Sequence, residues 1–372
     1  MSGSVECVKT GLIYRNPKPH VHSIHGTFPS VCQLANGEML ATVALGEAFE
    51  AVNVNTNILR STDNGETWQL EGPVYPGTKD RITSNTSRIT AMPNGEVVVF
   101  MCRDDRTERP EDGASNPENL GHLQTEFLIF RSSEEGRNWR GPEAIEEPLV
   151  GPSFEICCPI TPLKDGRWLL PTSTWRGWNG DCPNGLMMVA FVSHDRGKSW
   201  PEYMQVMRDP AQNIWYWESK IVECADGRLL AIAWAYDEAE KKDRPNQYAL
   251  SSDGGKTWSQ PASTGLLGQT ATPFVLEDDR ILTVYRRMDK TGLWANLSHL
   301  EGDEWVNDSC IPLWGAKVSG LTSTSEAMAD NFAVLRFGAP CIMRLQDGTI
   351  YVAFWCFEDM ISVIRWFKLN IN

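Results

Sequence analysis

The sequence predicts an all-β fold, a six-bladed β-propeller of four-stranded antiparallel blades whose last blade is closed by an N-terminal strand. Three observations carry this expectation. An eight-residue turn recurs as "STDNGETW" (61–68), "SSEEGRNW" (132–139), "SHDRGKSW" (193–200) and "SSDGGKTW" (251–258). A shorter Asn-Gly or Asp-Gly turn recurs between apolar runs, at Gly37, Gly95, Gly166, Gly227 and Gly348, with Asp279 in the glycine's place in "LEDDRIL". The two alternate, one Ser…Trp turn between consecutive short turns.

The short turns are hairpin signals, because such turns need positive φ. Each repeat therefore reads as strand A, hairpin turn, strand B, a variable loop, strand C, the Ser…Trp turn and strand D. The fifth Ser…Trp turn, "SHLEGDEW" (298–305), keeps only Ser, Gly and Trp in place. Four strands at a period of roughly 40 to 70 residues read as a propeller blade. The sixth repeat ends at "SVIRWFKLNIN" without such a turn, so its outer strand is expected from "CVKTGLIYR" (7–15). Blade cores are expected at 27–72, 86–142, 153–203, 216–261, 268–308 and 337–372 plus 7–15, in one domain over 1–372. The longest polar loops are 104–123 and 310–333.

The chain has 372 residues, 41% of them hydrophobic, which is enough for one large closed domain. No apolar run reaches the ~20 residues of a membrane helix. "MSGSVECVKT" lacks a basic segment followed by an apolar one, so no secretory leader is expected. The ten cysteines lack paired zinc-like spacing, and reduced thiols in a cytoplasmic protein are the reading we adopt. A net charge of -14 argues against a nucleic-acid partner. His20, His22 and His25 are spaced like metal ligands but lack a fourth, so neither metal nor cofactor is expected. Nothing in the sequence fixes the oligomeric state.

If both kinds of turn share one end, the opposite end carries the starts of the A strands and the ends of the B strands. The A strands begin "GTFPS" (26–30), "NTSRI" (85–89), "SFEIC" (153–157), "YWESK" (216–220), "GQTAT" (268–272) and "FGAPC" (337–341). Arg88, Glu155, Glu218 and Gln269 are unexpected where a core strand begins. The B ends carry Glu47, Asp105, Arg176, Asp237, Asp289 and Glu358, with Arg103, Trp175, Trp234, Tyr236, Arg286, Arg287 and Trp355 nearby. Carboxylates, guanidinium groups and indoles around one concave end suit a carbohydrate site: acids for proton transfer or nucleophilic attack, arginines for carboxylates and hydroxyls, aromatics for sugar faces. The bland alternatives are a solvated acidic edge, an Arg287–Asp289 pair, and Trp234 and Trp355 as core. Glu155 and Glu218 are harder to dismiss, because a carboxylate at the start of an innermost strand is expected to be partly buried.

These turns and their register resemble the sialidase superfamily over nearly the whole chain, and stretches such as "GPSFEIC", "STWRGWNGD", "YWESK" and "VYRR" look like its bacterial sialidase-like branch. The eight-residue turn resembles that superfamily's Asp box, which implies a structural role on the face opposite the active site. The resemblance also implies a catalytic set that this sequence lacks in part. Thr27 stands where the first carboxylate-binding arginine belongs. The following loop has Glu47 and Glu50 but no aspartate, and "FGAPC" lacks the nucleophilic tyrosine. Glu218 matches the superfamily's middle-blade glutamate, and Trp234 appears where a further arginine is expected.

The expectation is a sialidase-like glycoside hydrolase acting on a small glycoside or glycan end other than sialic acid. Glu218 and Glu155 are its candidate acid/base or nucleophile, with Asp105 and Glu47 as substitutes. Arg88, Arg103, Arg176, Trp175, Trp234, Tyr236, Gln269, Tyr285, Arg286, Trp355 and His25 are candidates to bind substrate. A polysaccharide lyase is the alternative, with Tyr236, Tyr285 or His25 as base, and a non-catalytic sugar-binding propeller is another.

Overall fold

The structure, a computed structural model, describes residues 3–78, 80–151, 153–154 (backbone only), 158–322, 331 and 334–372. Among the described residues twenty-five strands follow one another along the chain, beginning with β1 (Val5–Tyr14). The first unit holds β2 (His25–Gln33), β3 (Met39–Gly46), β4 (Asn55–Ser61) and β5 (Gln69–Pro73). The second holds β6 (Thr83–Ala91), β7 (Val97–Asp105), β8 (Thr125–Ser132) and β9 (Arg140–Ala144). The third holds β10 (Ser153–Phe154), β11 (Thr161–Pro162), β12 (Trp168–Trp175), β13 (Met188–Ser193) and β14 (Glu202–Met207). The fourth holds β15 (Ile214–Glu223), β16 (Leu229–Asp237), β17 (Lys242–Asp243) and β18 (Pro245–Ser251). The long β19 (Ala262–Val275) leads into β20 (Ile281–Arg287), β21 (Leu293–Glu301) and β22 (Glu304–Trp314). The chain ends on β23 (Phe337–Arg344), β24 (Ile350–Glu358) and β25 (Ile361–Ile371).

The arrangement is propeller-like and antiparallel, but six separate four-stranded sheets are not what forms. Among the described residues there are five hydrogen-bonded sheets: three of four strands, one of five and one of eight. The difference lies in β19. Its first part pairs with β18 (Gln247 opposite Ser263), and its second part pairs with β20 (Val275 opposite Ile281), so one continuous strand joins the fourth and fifth repeats. At the other end of the chain β1 pairs with β25, placing an N-terminal strand beside the C-terminal hairpin.

The core is distributed between units rather than held in one centre. Apart from one that brings Leu120 of the second unit to indoles of the third and fourth, each apolar cluster joins two consecutive units, as when Phe100 and Phe127 of the second meet Leu170 and Phe191 of the third. Another joins the last unit to the first, through Trp355 and Trp366 against Val43 and Leu59. Both faces of the middle strands are thereby covered, which is why β7 as far as Cys102 and β16 as far as Tyr236 read as apolar runs, and why every residue of β12 is buried although its centre is Thr-Ser-Thr.

The recurring turns are fixed locally and then used to join units. In 251–258 the Ser251 hydroxyl donates to Asp253 Oδ1 at 2.9 Å and accepts from the Gly255 N–H at 2.8 Å. The Thr257 hydroxyl and N–H both donate to Asp253, at 2.6 and 2.9 Å, and hold its carboxyl at about 2. The carbonyls of these turns then accept from the preceding unit. Tyr351 donates to Gly65 O (3.0 Å), Arg60 to Glu135 O (3.1 Å), Arg131 to Gly197 O (2.9 Å), Arg167 to Gly254 O (2.9 Å) and Arg228 to Gly302 O (2.9 Å). Gly65 is required twice over: its φ is +81°, and a Cβ there would lie 2.6 Å from the Tyr351 ring.

Asn64 of a Ser…Trp turn bonds Gln33 at 3.2 Å and Asp347 of a hairpin turn at 2.7 Å. Both kinds of turn therefore lie at one end, and the other end is left for a site.

Candidate functional site

At that other end a cavity of about 410 Å³ opens among the innermost strands. A bulge repeated in those strands shapes it. Pairing slips at Thr27/Ser30, Trp217/Lys220, Gln269/Thr272 and Gly338/Cys341. Within the four slips, Phe28, Glu218, Thr270 and Ala339 adopt positive φ of 46° to 54°. Each lies nine positions before the central residue of its hairpin turn, Gly37, Gly227, Asp279 or Gly348. All four line the cavity. A left-handed backbone costs a non-glycine residue about 1–3 kcal/mol, and a bulge re-aims a side chain that simple alternation would send elsewhere. Among these four positions only Glu218 carries charge.

Glu218 Oε2 is fully buried, and the Thr270 N–H bonds the carboxylate. Burial raises the Glu218 pKa above its ordinary value, against the opposing pull of the cations Lys220, Arg286 and Arg88. Lys220 Nζ donates to the Glu218 carbonyl at 3.0 Å. Arg286 is locked in place: Nε and Nη2 donate to Gln269 Oε1 at 2.9 and 2.6 Å, and Nη1 to Phe337 O at 2.8 Å. Gln269 in turn donates to Asp243 at 2.9 Å, and Trp234 Nε1 donates to the other oxygen of Asp243 at 2.6 Å. This chain of bonds fixes a buried guanidinium beside Glu218.

The remaining walls differ in character. One side is aromatic, with Phe49 between Phe28 and Trp355 at ring distances of 5.1 and 5.4 Å. Elsewhere Trp217 is stacked between Trp175 (4.6 Å) and Trp234 (4.0 Å). All three indoles line the cavity but are buried, so none of them is an open platform. A polar corner holds Glu50, Asp104, Ser115 and His122. Ser115 donates its hydroxyl and N–H to the Glu50 carboxylate, at 2.9 and 3.2 Å.

Of the residues singled out by sequence, Glu218, Arg88, Trp175, Trp234, Arg286 and Trp355 line the cavity, and Gln269 braces it from behind. Glu155 lies outside the described residues. The others lie away from the lining, and for most the bland reading fits. Asp105 pairs with Arg81 (3.3 Å), and Arg103 bonds Glu126 and the Tyr75 hydroxyl. The further rim acids Asp237, Asp289 and Glu358 pair with Arg244, Arg287 and Arg365. Glu47 is exposed at the rim. Arg176 sits 4.2 Å over the Trp215 ring and bonds Asn119 O, while Tyr236 packs against Trp215. Tyr285 faces Cys310. His25 accepts from the Ser362 N–H through Nδ1, so the three bases considered for a lyase all lie outside the cavity. Among the described residues no cluster of three metal-ligating side chains occurs.

Sequence reasoning passed over Asp104, His122, Lys220 and Trp217. Asp104 was legible in principle. Side chains of β7 alternate, so Cys102 and Asp104 reach the cavity while Arg103 and Asp105 turn away. His122 had no local signal. It arrives on the loop between β7 and β8, which is pinned to the third unit by the His122 N–H donating to Arg176 O at 2.9 Å.

The sequence profile of the BNR repeat-like domain matches residues 50–307. The chain belongs to that family. The BNR repeat-like chain falls, with it, in the sialidase-like superfamily. It is 21% identical over 225 residues to a sialidase of Bacteroides fragilis, a match covering 57% of this chain and only 38% of that relative. A protein of unknown function from Dyadobacter fermentans has the same fold, with a TM-score of 0.72, 20% identity and 99% of each chain covered. An α-L-arabinanase of Penicillium chrysogenum, solved with arabinobiose, has a TM-score of 0.66 at 17% identity over 98% of both chains. The relatives are thus glycosidases where their activity is named, and the propeller-like scaffold is one that glycoside hydrolases use.

Proposed function

We propose that this BNR repeat-like protein is a glycoside hydrolase that takes a sugar residue or glycan end into the central cavity, with Glu218 as the acid that protonates the leaving oxygen. One observation carries the reading. Glu218 is the only charged residue among the four bulged positions that line the cavity, and burial raises its pKa toward the range of a general acid. Arg286, held by Gln269 and Phe337 O, and Arg88 supply donors for substrate hydroxyls or a carboxylate. Phe28 and Phe49 offer partly exposed rings for a sugar face. The inter-unit clusters and turn contacts also support a ring of six blades, the fourth and fifth sharing β19.

Sialic acid is not the expected substrate. Thr27 is buried, its hydroxyl 3.5 Å from Ala44 O, so no arginine stands at that position to take the substrate carboxylate. Ala339 occupies the bulge in "FGAPC", and no tyrosine opens that strand.

The test is a panel of 4-methylumbelliferyl glycosides, beginning with α-L-arabinofuranoside and including the α-sialoside. Turnover of at least one member other than the sialoside is expected, and Glu218→Gln should lower kcat by about 10² or more with the fold retained. Turnover of the sialoside alone, or full activity in Glu218→Gln, would defeat the proposal.

A further inference from the structure

We propose that His122 and Asp104 form a general-base pair in the cavity, one that takes the proton from an attacking water while Glu218 protonates the leaving oxygen. The inference rests on the hydrolase reading above.

The geometry decides which ring nitrogen is available. His122 Nδ1 lies 3.2 Å from Leu123 O, 3.2 Å from Thr125 Oγ1 and 3.8 Å from Asp104 Oδ1. The Leu123 carbonyl only accepts hydrogen bonds, and Asp104, whose pKa burial raises against the pull of His122, Thr125 and Arg106, lies too far from Nδ1 to donate to it. The Thr125 hydroxyl proton is engaged by Asp104 Oδ1 (2.9 Å) and Leu123 O (3.1 Å). Nδ1 must therefore carry the ring proton, which leaves a lone pair on Nε2. The side chain is 27% exposed and lines the cavity, so that lone pair belongs to the part of the ring turned away from Leu123 and Thr125. Asp104 is buried against the ring and stabilises the imidazolium that forms on protonation.

The placement is rigid. Asp104 is in β7, and β7 and β8 are in register from Val97/Ser132 to Asp104/Thr125. The His122 backbone bridges both Ser115 and Gly177. Gly121 permits the contact, because a Cβ there would lie 2.0 Å from Gly177 O. Arg106 closes the corner from beneath, donating to Glu50 O (3.2 Å), to Ser84 Oγ (3.3 Å) and to Asp112 O.

The step balances. The water oxygen bonds the anomeric carbon as His122 Nε2 takes one water proton. The glycosidic C–O bond breaks, and its electron pair goes to the leaving oxygen, which receives the Glu218 proton. His122 then returns its proton and Glu218 regains one through solvent. Acid and base on separate groups, with no covalent intermediate, give inversion at the anomeric carbon.

Two measurements test the pair. Long-range ¹⁵N–¹H correlation spectra of the intact protein at neutral pH should show His122 as the Nδ1–H tautomer, and the Nε2–H tautomer would overturn the proposal. With a glycoside from the panel above, His122→Ala and His122→Gln should each lose about 10² or more in kcat with little change in KM. Added imidazole should restore part of the His122→Ala rate, Asp104→Asn should lose about tenfold or more, and the first product anomer should be inverted. His122 variants within threefold of wild type, on a glycoside that Glu218→Gln no longer cleaves, would overturn the base while sparing the hydrolase; so would a retained anomer. A wild-type protein that cleaves no member of the panel overturns the hydrolase reading and the base role together.

Discussion

Arg131→Met tests whether the recurrent turns hold the units together. Arg131 sits in β8 with its side chain only 5% exposed, and it crosses to the next unit. Nη2 donates to Gly197 O at 2.9 Å, Nε to Glu143 at 2.8 Å and Nη1 to Glu96 at 3.2 Å, with the guanidinium 5.5 Å from the Trp168 ring. The two glutamates are partly solvated and regain water when the arginine is lost, so each pair contributes about 0.5–1 kcal/mol. The Gly197 carbonyl is buried in the contact, and leaving it unpartnered costs about 1–3 kcal/mol. Loss of the stacked cation adds about 0.5–1 kcal/mol. Together these are about 2.5–6 kcal/mol. For a 372-residue chain the unfolding entropy is about 0.8 kcal/mol/K, so calorimetry should show Tm falling by about 3–8 °C. Arg140→Met is the control. Its side chain is 76% exposed and it pairs with Glu143 only at 3.5 Å, so its Tm should hardly move. Equal shifts for the two variants would refute the claim that turn carbonyls join the units.

Two further outcomes follow from burial. Burial raises the folded-state pKa of Glu218, so its stabilising contribution is complete below the ordinary carboxylate range and is lost as pH rises through the folded value. Glu218→Gln removes that loss, and its urea midpoint should fall less between pH 4 and pH 8 than that of wild type; parallel curves would contradict the buried carboxyl. Trp200 alone among the four Ser…Trp turns has a fully buried indole, at 4% exposure, so Trp200→Ala should cost about 3–5 kcal/mol by denaturant titration, and an equal cost for the half-buried Trp258→Ala would show that burial is not the cause.

The sequence by itself determined whatever is settled within a few residues. Asn-Gly and Asp-Gly turns follow from the positive φ that glycine tolerates, and the Ser…Trp turns from side chains such as Asp253 bonding their own backbone. Those local rules were enough to divide the chain into repeats, to find the strand that joins the C-terminal hairpin, and to leave one end for a site. Glu218 was legible for the same reason, as an acid at the start of an innermost strand. Tertiary structure alone decided what depends on distant packing. Pairing on both sides of β19 merged two expected sheets into one, which no turn signal encodes. The pleat sent Asp104 inward and Asp105 out to Arg81, one residue apart and opposite in role. Glu358 found Arg365 on the neighbouring strand, a pairing that depends on register and not on spacing. His122 became part of the cavity only because its loop lies against Gly177 of the next unit, where the absence of a side chain at Gly121 lets two backbones meet.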